Sequence, residues 1–171
     1  MTRTTETPRL IAPTTRVRDS YLAGERVDCV ARGTPVGWLV DAENDFAGFV
    51  AATRGVRTRW GVPSTIFWYC ARADYLGTLV VRHELTPELL MVGGHIGYHV
   101  VSPWQRQGHA TRMLAEGLGE CERMGIEQVL LTCAVDNQPS RKVILANGGI
   151  HEDERHGEDR FWIDLRHGAH R

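Results

Sequence analysis

The stretch His95-Ile-Gly-Tyr-His-Val-Val-Ser-Pro-Trp-Gln-Arg-Gln-Gly-His-Ala-Thr-Arg-Met-Leu114 limits the possible folds more than any other part of the chain. It reads as a strand, a sharp turn and the opening of an amphipathic helix. Pro103 closes the strand, because it removes a backbone donor from any further ladder. Beyond the turn, apolar residues fall at Ala110, Met113, Leu114, Leu118 and Cys121, with Gly117 on the same side. That spacing is the stripe of one buried helix face, and Arg112, Glu116, Glu120 and Glu122 occupy the other. Gly125, after Met124, supplies the stop signal. The apolar run Gln128-Val-Leu-Leu-Thr-Cys133 follows at once. Strand, helix and strand in that order form a crossover, which sets the strands at 95–101 and 128–133 parallel.

The turn also has a chemical consequence. The first four N–H groups of a helix lack intrahelical partners, and the helix dipole adds partial positive charge there. Gly108 has no Cβ, so its backbone can approach an anion closely, and Ala110 keeps the first helical turn narrow. The main chain of Arg106, Gln107, Gly108, His109, Ala110 and Thr111 is therefore suited to hold a diphosphate.

Around this unit the chain alternates helical and strand-like segments. A short strand at 9–13 precedes a helix capped by Thr14 or Thr15 and running to about Gly24. From Glu25 to Asp41 no period is readable, with Gly33, Pro35 and Gly37 interrupting. A second helix starts near Asp41 or Asn44, packs through Phe46, Phe49 and Val50, and fades near Gly55. Gly61-Val-Pro63 reads as a turn. Strands follow at 65–71 and 75–82, then a loop around Thr86-Pro87 leads to the central strand. The chain closes with strands around 150–154 and 161–165, joined by a turn at His156-Gly157. Of the aromatics, Trp60, Trp68, Tyr69, Tyr75, Trp104 and Trp162 read mainly as core.

Composition excludes several classes. The 171 residues suit one domain, 1–171, with a full core, and 42% hydrophobic with 24% charged residues is ordinary for a soluble protein. A net charge of −1 argues against nucleic acid or an anionic membrane as partner, since both want a basic face. No apolar run approaches the ~20 residues that span a bilayer, and the N-terminus lacks an apolar signal core, so the expected location is the cytoplasm. Cys29, Cys70, Cys121 and Cys133 show no CxxC pairing and read as reduced, mostly buried thiols. The eight histidines include no HxxxH helix pair, and no metal is expected.

Gln105-Arg-Gln-Gly-His-Ala110 resembles the Gln/Arg-x-x-Gly-x-Gly/Ala pattern of the GNAT superfamily, the acyl-CoA-dependent N-acetyltransferases. A strand ending Val-Val-Ser-Pro103 precedes it. The segment Asn137-Gln-Pro-Ser-Arg-Lys-Val-Ile-Leu-Ala-Asn-Gly-Gly149 resembles the superfamily's Asn-x-x-Ser/Ala helix. The likeness is tight over 94–150 and looser elsewhere. Trp60-Gly-Val-Pro-Ser-Thr, Arg82-His-Glu-Leu85 and Gly93-Gly-His-Ile-Gly97 are also similar to a bacterial subgroup of predicted acetyltransferases. The resemblance implies an α/β (α+β) GNAT fold. Its central mixed sheet is mostly antiparallel, with six to seven strands and about four flanking helices. One parallel pair splays apart to leave a cleft where acyl group and amine meet.

The resemblance also implies acetyl-CoA, or another acyl-CoA, as donor. Its pantetheine arm carries amides that can pair with a strand edge, and by position Tyr98, His99 and Val100 offer the backbone groups. Asn137 is expected to bond the same arm, its alternative being an Asx turn or cap. Arg106, Arg112, Arg141 and Lys142 are candidates for the coenzyme's phosphates, against the alternative of solvated surface charge. The acceptor is expected to be a primary amine of a small molecule, peptide or protein. A homodimer is compatible with the sequence and not specified by it.

Direct attack of an amine on a thioester makes three demands. The amine must be neutral, although a free alkylamine titrates near ~10. The developing oxyanion needs donors, and the departing thiolate needs a proton or hydrogen bond. Many family members place a Tyr seven residues after the Asn, where this chain has Ile144. Some place a Glu five before it, where this chain has Thr132. Ser140 is the expected thiolate partner, its alternative being a helix-start serine bonded to its own backbone. For the base the candidates are Glu84 and His95 first, then His83 and His99. A desolvated pocket with no single base is the alternative. The absent Tyr and Glu motivate a second reading, a non-catalytic acyl-CoA sensor of the same fold. A dinucleotide fingerprint at Gly93–Gly97 is excluded, because the spacing is not GxGxxG and no helix opens there.

Overall fold

The computed structural model describes residues 6–166. Sixteen elements follow one another, of which fourteen are strands and α-helices. In chain order these are β1 (Arg9–Ile11), α1 (Arg18–Arg32), α2 (Gly37–Asn44), α3 (Phe46–Thr53), β2 (Val56–Arg59), β3 (Val62–Ala71), β4 (Asp74–Arg82), α4 (Pro87–Met91), β5 (Ile96–Val100), α5 (His109–Arg123), β6 (Gln128–Ala134), α6 (Gln138–Ala146), β7 (Ile150–Arg155) and β8 (Glu158–Asp164). Single 3-10 turns at Thr15–Val17 and Ser102–Trp104 complete the set.

The strands form two sheets. One has the order β1-β3-β4-β5, with β2 sharing the β3 edge with β1, and the other has the order β6-β8-β7. All ladders within them are antiparallel. The strands at 95–101 and 128–133, expected as a parallel pair that splays apart, share no ladder: β5 and β6 each end a sheet. They meet at a short seam, a Gly94–Leu131 bridge of antiparallel type reinforced by His95 N–H to Leu130 O at 2.8 Å. Eight strands and six helices exceed the six to seven and about four expected. The extra elements are short: β2 has four residues and α4 five.

Two cores lie on opposite faces of the first sheet. Alternation along β5 decides which residue enters which. Ile96 and Val100 are buried in the core beneath α5, among Leu79, Leu114, Leu118 and Phe161, and Tyr98 packs against it. The opposite core is aromatic: Tyr21 of α1, Phe46 of α3, Trp68 of β3 and Tyr75 of β4, with the Tyr21 and Trp68 rings stacked 4.5 Å apart. The amphipathic reading of α5 holds in detail, since Met113, Leu114, Leu118 and Cys121 are at most 1% exposed.

The first helix departs from its expected end. Instead of stopping at Gly24, α1 continues to Gly33, whose φ of 63° supplies the left-handed cap. Gly24 is there for close approach: a Cβ at that position would lie 3.1 Å from Val101 Cγ2. Its continuation brings Glu25 and Asp28, both buried, against the end of β5. Thr14 caps the preceding 3-10 turn rather than α1 itself.

Candidate active site

A cleft of about 480 Å³ opens where β5, the turn after it, α5 and α6 converge. Its lining comes from three segments: Tyr98, His99 and Val100 on β5; Trp104 to Arg106 and Gly108 to Thr111 on the turn and helix start; and Asn137, Pro139, Ser140 and Val143 at the α6 start. The turn adopts a shape that only particular residues tolerate. Gly108 is the α5 N-cap with φ 78°, and Arg106 is left-handed at φ 61°. No side chain caps this helix, and among the described residues the N–H groups of 106–111 reach no acceptor. Of these residues Arg106 and Gly108 to Thr111 line the cleft, and unpaired N–H groups at a helix start are suited to an anion. Arg112 braces the turn by donating to Gln107 O at 3.0 Å and contacting His109 Nδ1 at 3.1 Å. Burial, with Arg112 second, pulls the His109 imidazole below its ordinary value.

The pairing of β4 with β5 determines what the β5 edge can offer. Arg82 N–H donates to His95 O, and Val101 N–H donates to Leu76 O. Antiparallel alternation then turns the main-chain groups of 97 and 99 toward β4 and those of 96, 98 and 100 toward the open edge. Tyr98 and Val100 therefore present backbone at the edge, whereas His99 presents its side chain. Val100 O is already taken by Gln105 Nε2 at 2.8 Å. Gly77 makes the pairing possible, because a Cβ there would lie 2.3 Å from His99 O.

At the inner end the Tyr98 hydroxyl meets Ser140 Oγ at 2.8 Å. Ser140 N–H donates to Asn137 Oδ1, so Asn137 caps α6 while still lining the cleft. Burial pushes the Tyr98 phenol up to about 12, with the Ser140 hydrogen bond acting the other way. A phenol that weak stays protonated and serves as a hydrogen-bond donor. It is a poorer acid than a free thiol, which titrates near ~8.5. Ile144, at the position where a family Tyr was sought, is fully buried core.

The remaining expected residues lie elsewhere. Glu84 is exposed beyond the end of β4, and His83 Nε2 pairs with Thr65 Oγ1 at 2.8 Å. His95 is 8% exposed at the seam, where its Nδ1 accepts the Leu130 N–H at 2.9 Å. Burial, with the Arg82 charge second, pulls it down to about 4, so it is neutral at physiological pH. Neither Glu84 nor His95 lines the cleft. Arg141 is engaged with Asp159 at 2.6 Å and lies over Phe161, while Lys142 is exposed. Among the described residues no group of three or more His, Cys, Asp or Glu is placed to hold a metal, and no helix is long and apolar enough to cross a membrane.

Sequence reasoning missed Glu25. It is 4% exposed, and its Oε1 accepts from Tyr75 OH at 2.6 Å and contacts His99 Nε2 at 2.8 Å. The available signal was the run Tyr21-Leu22, Glu25, Asp28-Cys29, a helical stripe with two carboxylates inside it.

Comparison with known proteins agrees with this geometry. The model of the acetyltransferase (GNAT) family matches residues 9–148. Human mitochondrial alanine–tRNA ligase is 31% identical over 111 residues, 61% of this chain, and the chain spans only 11% of that protein. The ribosomal L7/L12 α-N-protein acetyltransferase RimL, solved with coenzyme A, superposes with a TM-score of 0.65 at 17% identity, covering 93% of this chain and 94% of that one. The microcin C7 self-immunity acetyltransferase MccE, solved with acetyl-CoA and AMP, gives 0.64 at 13% identity, covering 93% of each. With a family match that runs from β1 to the end of α6, this chain belongs to the acetyltransferase (GNAT) family.

Proposed function

We propose that the protein transfers an acetyl group from acetyl-CoA to a primary amine of a small molecule, peptide or protein by direct attack. The observation that carries this reading is a cleft lined on one side by a helix start, 106–111, whose backbone N–H groups have no acceptor among the described residues, and on the other by a hydroxyl pair, Tyr98 and Ser140. The first element fits a coenzyme's diphosphate, held by main-chain N–H groups of 106, 107, 108, 109, 110 and 111 with Arg106 at the rim. The edge of Tyr98 and Val100 fits the amides of a pantetheine arm. Asn137 and Ser140 stand at the inner end, where Ser140 donates to the sulfur that departs and Tyr98 supports it. The coenzyme supplies an activated acyl carbon, and the chain supplies alignment, exclusion of water and hydrogen bonds to developing charge.

Acceptor class is open to a direct assay. RimL is named for an α-amino group of a ribosomal protein, which supports including peptide α-amines among the acceptors. The protein is mixed with acetyl-CoA and, in turn, a serine-initiated hexapeptide, Nα-acetyl-lysine and an aminoglycoside, while free thiol is followed. Amine-dependent thiol release supports transfer. Tight coenzyme binding with no release from any amine overturns it in favour of the non-catalytic acyl-CoA sensor.

A further inference from the structure

Adjacent residues of a strand point to opposite faces. In β5 this places the Tyr98 hydroxyl toward α6 and the His99 ring toward α1. Both line the cleft, so a group in it is flanked by hydroxyls on one side and an imidazole on the other. The imidazole is held in one orientation. Glu25 accepts from Tyr75 OH and from His99 Nε2, and Tyr75 OH also contacts Thr78 Oγ1 at 2.6 Å. A carboxylate at Nε2 fixes the proton there, which leaves Nδ1 as the basic nitrogen. Among the described residues Nδ1 has no hydrogen-bond partner.

The scaffold behind the pair is rigid. Asp28, one helical turn after Glu25, accepts from Ser102 N–H at 3.0 Å and ties α1 to the segment just past β5. Gly77 and the β4 ladder fix the main chain at His99. Beyond Glu25, the charged or titratable groups facing this ring are Tyr75 from β4 and Asp28 and Arg32 from α1, the latter two around a smaller cavity that His99 also lines.

We propose that His99 is the general base that takes the acceptor amine's proton, with Glu25 as the positioning residue that sets its tautomer. The proposal rests on the acetyl-transfer reading above and names the proton path within it. The neutral amine nitrogen forms its bond to the acyl carbon, and the carbon–sulfur bond breaks. Its electron pair leaves on sulfur as a thiolate hydrogen-bonded by Ser140. One proton passes from nitrogen to His99 Nδ1 and then to solvent. The amine therefore approaches from the α1 side of β5, and α1 forms a wall of the acceptor site.

The test uses the full chain and whichever of the three amine probes releases thiol fastest. A positioned general base contributes about 10²–10⁴-fold, so His99→Gln is expected to lower kcat by that factor with the Kd for coenzyme A within about twofold. Added imidazole is expected to restore turnover to His99→Ala. In the wild type kcat rises with pH along one limb, because the base must be neutral. Glu25→Gln takes away the carboxylate that orients Nε2 and is expected to lower kcat, with the Kd for coenzyme A within about twofold. Should the variants fold poorly, nitrogen NMR of the wild type is the second measurement. A His99 signal from the Nε2–H tautomer, titrating with the midpoint of the kcat limb, supports the proposal. A His99→Gln enzyme within threefold of wild type, no imidazole rescue, or a His99 titration unrelated to the limb overturns it while leaving acetyl transfer intact. Coenzyme binding without turnover on any probe overturns both.

Discussion

Replacing His95 with Asn isolates the seam between the two sheets. In the folded protein His95 Nδ1 accepts the Leu130 N–H, and burial pulls the ring down to about 4. In the unfolded chain a histidine titrates near ~6.5. Because the folded value is the lower one, the unfolded chain holds the extra proton between these limits. Stability is therefore complete above about pH 7 and falls as the pH drops through 6.5 toward 4. Integration gives a loss of about 2 kcal/mol at pH 5 and about 3 kcal/mol by pH 4. Asn can accept the same N–H through Oδ1 but does not titrate. Urea unfolding of wild type and His95→Asn at pH 7.5 and pH 5 cancels every other titrating group in the difference. The wild type is expected to lose about 2 kcal/mol more than the variant between those pH values. A difference constant to within about 0.5 kcal/mol would refute the assignment of His95 as a buried neutral acceptor.

Gly108→Val forces a branched side chain into a left-handed cap that already costs an ordinary residue about 1–2 kcal/mol. A folded variant is expected to lose coenzyme A binding by calorimetry, and unchanged affinity would refute the anion cradle. Ser140→Ala removes a hydrogen bond to a charged leaving group, worth about 1.5–3 kcal/mol. We expect kcat to fall by about tenfold or more while coenzyme affinity changes less, and equal turnover removes Ser140 from the mechanism. Gly117→Ala places a Cβ 2.5 Å from Leu79 Cδ1 where α5 crosses β4. Overpacking of about 1–3 kcal/mol exceeds the roughly 1 kcal/mol that Ala gains over Gly in a helix, so denaturant titration is expected to show net destabilisation.

The parts legible in the sequence were those with a strong period and a local cause. The α5 stripe, the β5 alternation and the α6 start at Asn137-Gln-Pro-Ser140 each declare themselves within a few residues. Glu25 did not, because Gly24 imitates a stop signal. Its reason for being glycine is Val101, more than seventy residues away, and no local window contains that contact. The hairpin at Trp60-Gly61 was also hidden. Both residues have positive φ, which suits a tight hairpin, but β2 before it is largely exposed and carries no apolar alternation. The crossover was read correctly as strand, helix and strand. The two strands share no ladder: the hydrogen bonds of the seam run from 93–95 to 130 and 132, beside Gly93 and Gly94, both of positive φ, a turn that no local window of sequence declares.

Two sheets that end facing each other leave two rows of peptide groups without neighbours, and such rows invite other chains to add themselves. Gln105 blunts one row by covering Val100 O. An occupant carrying amides would pair with what remains of that row.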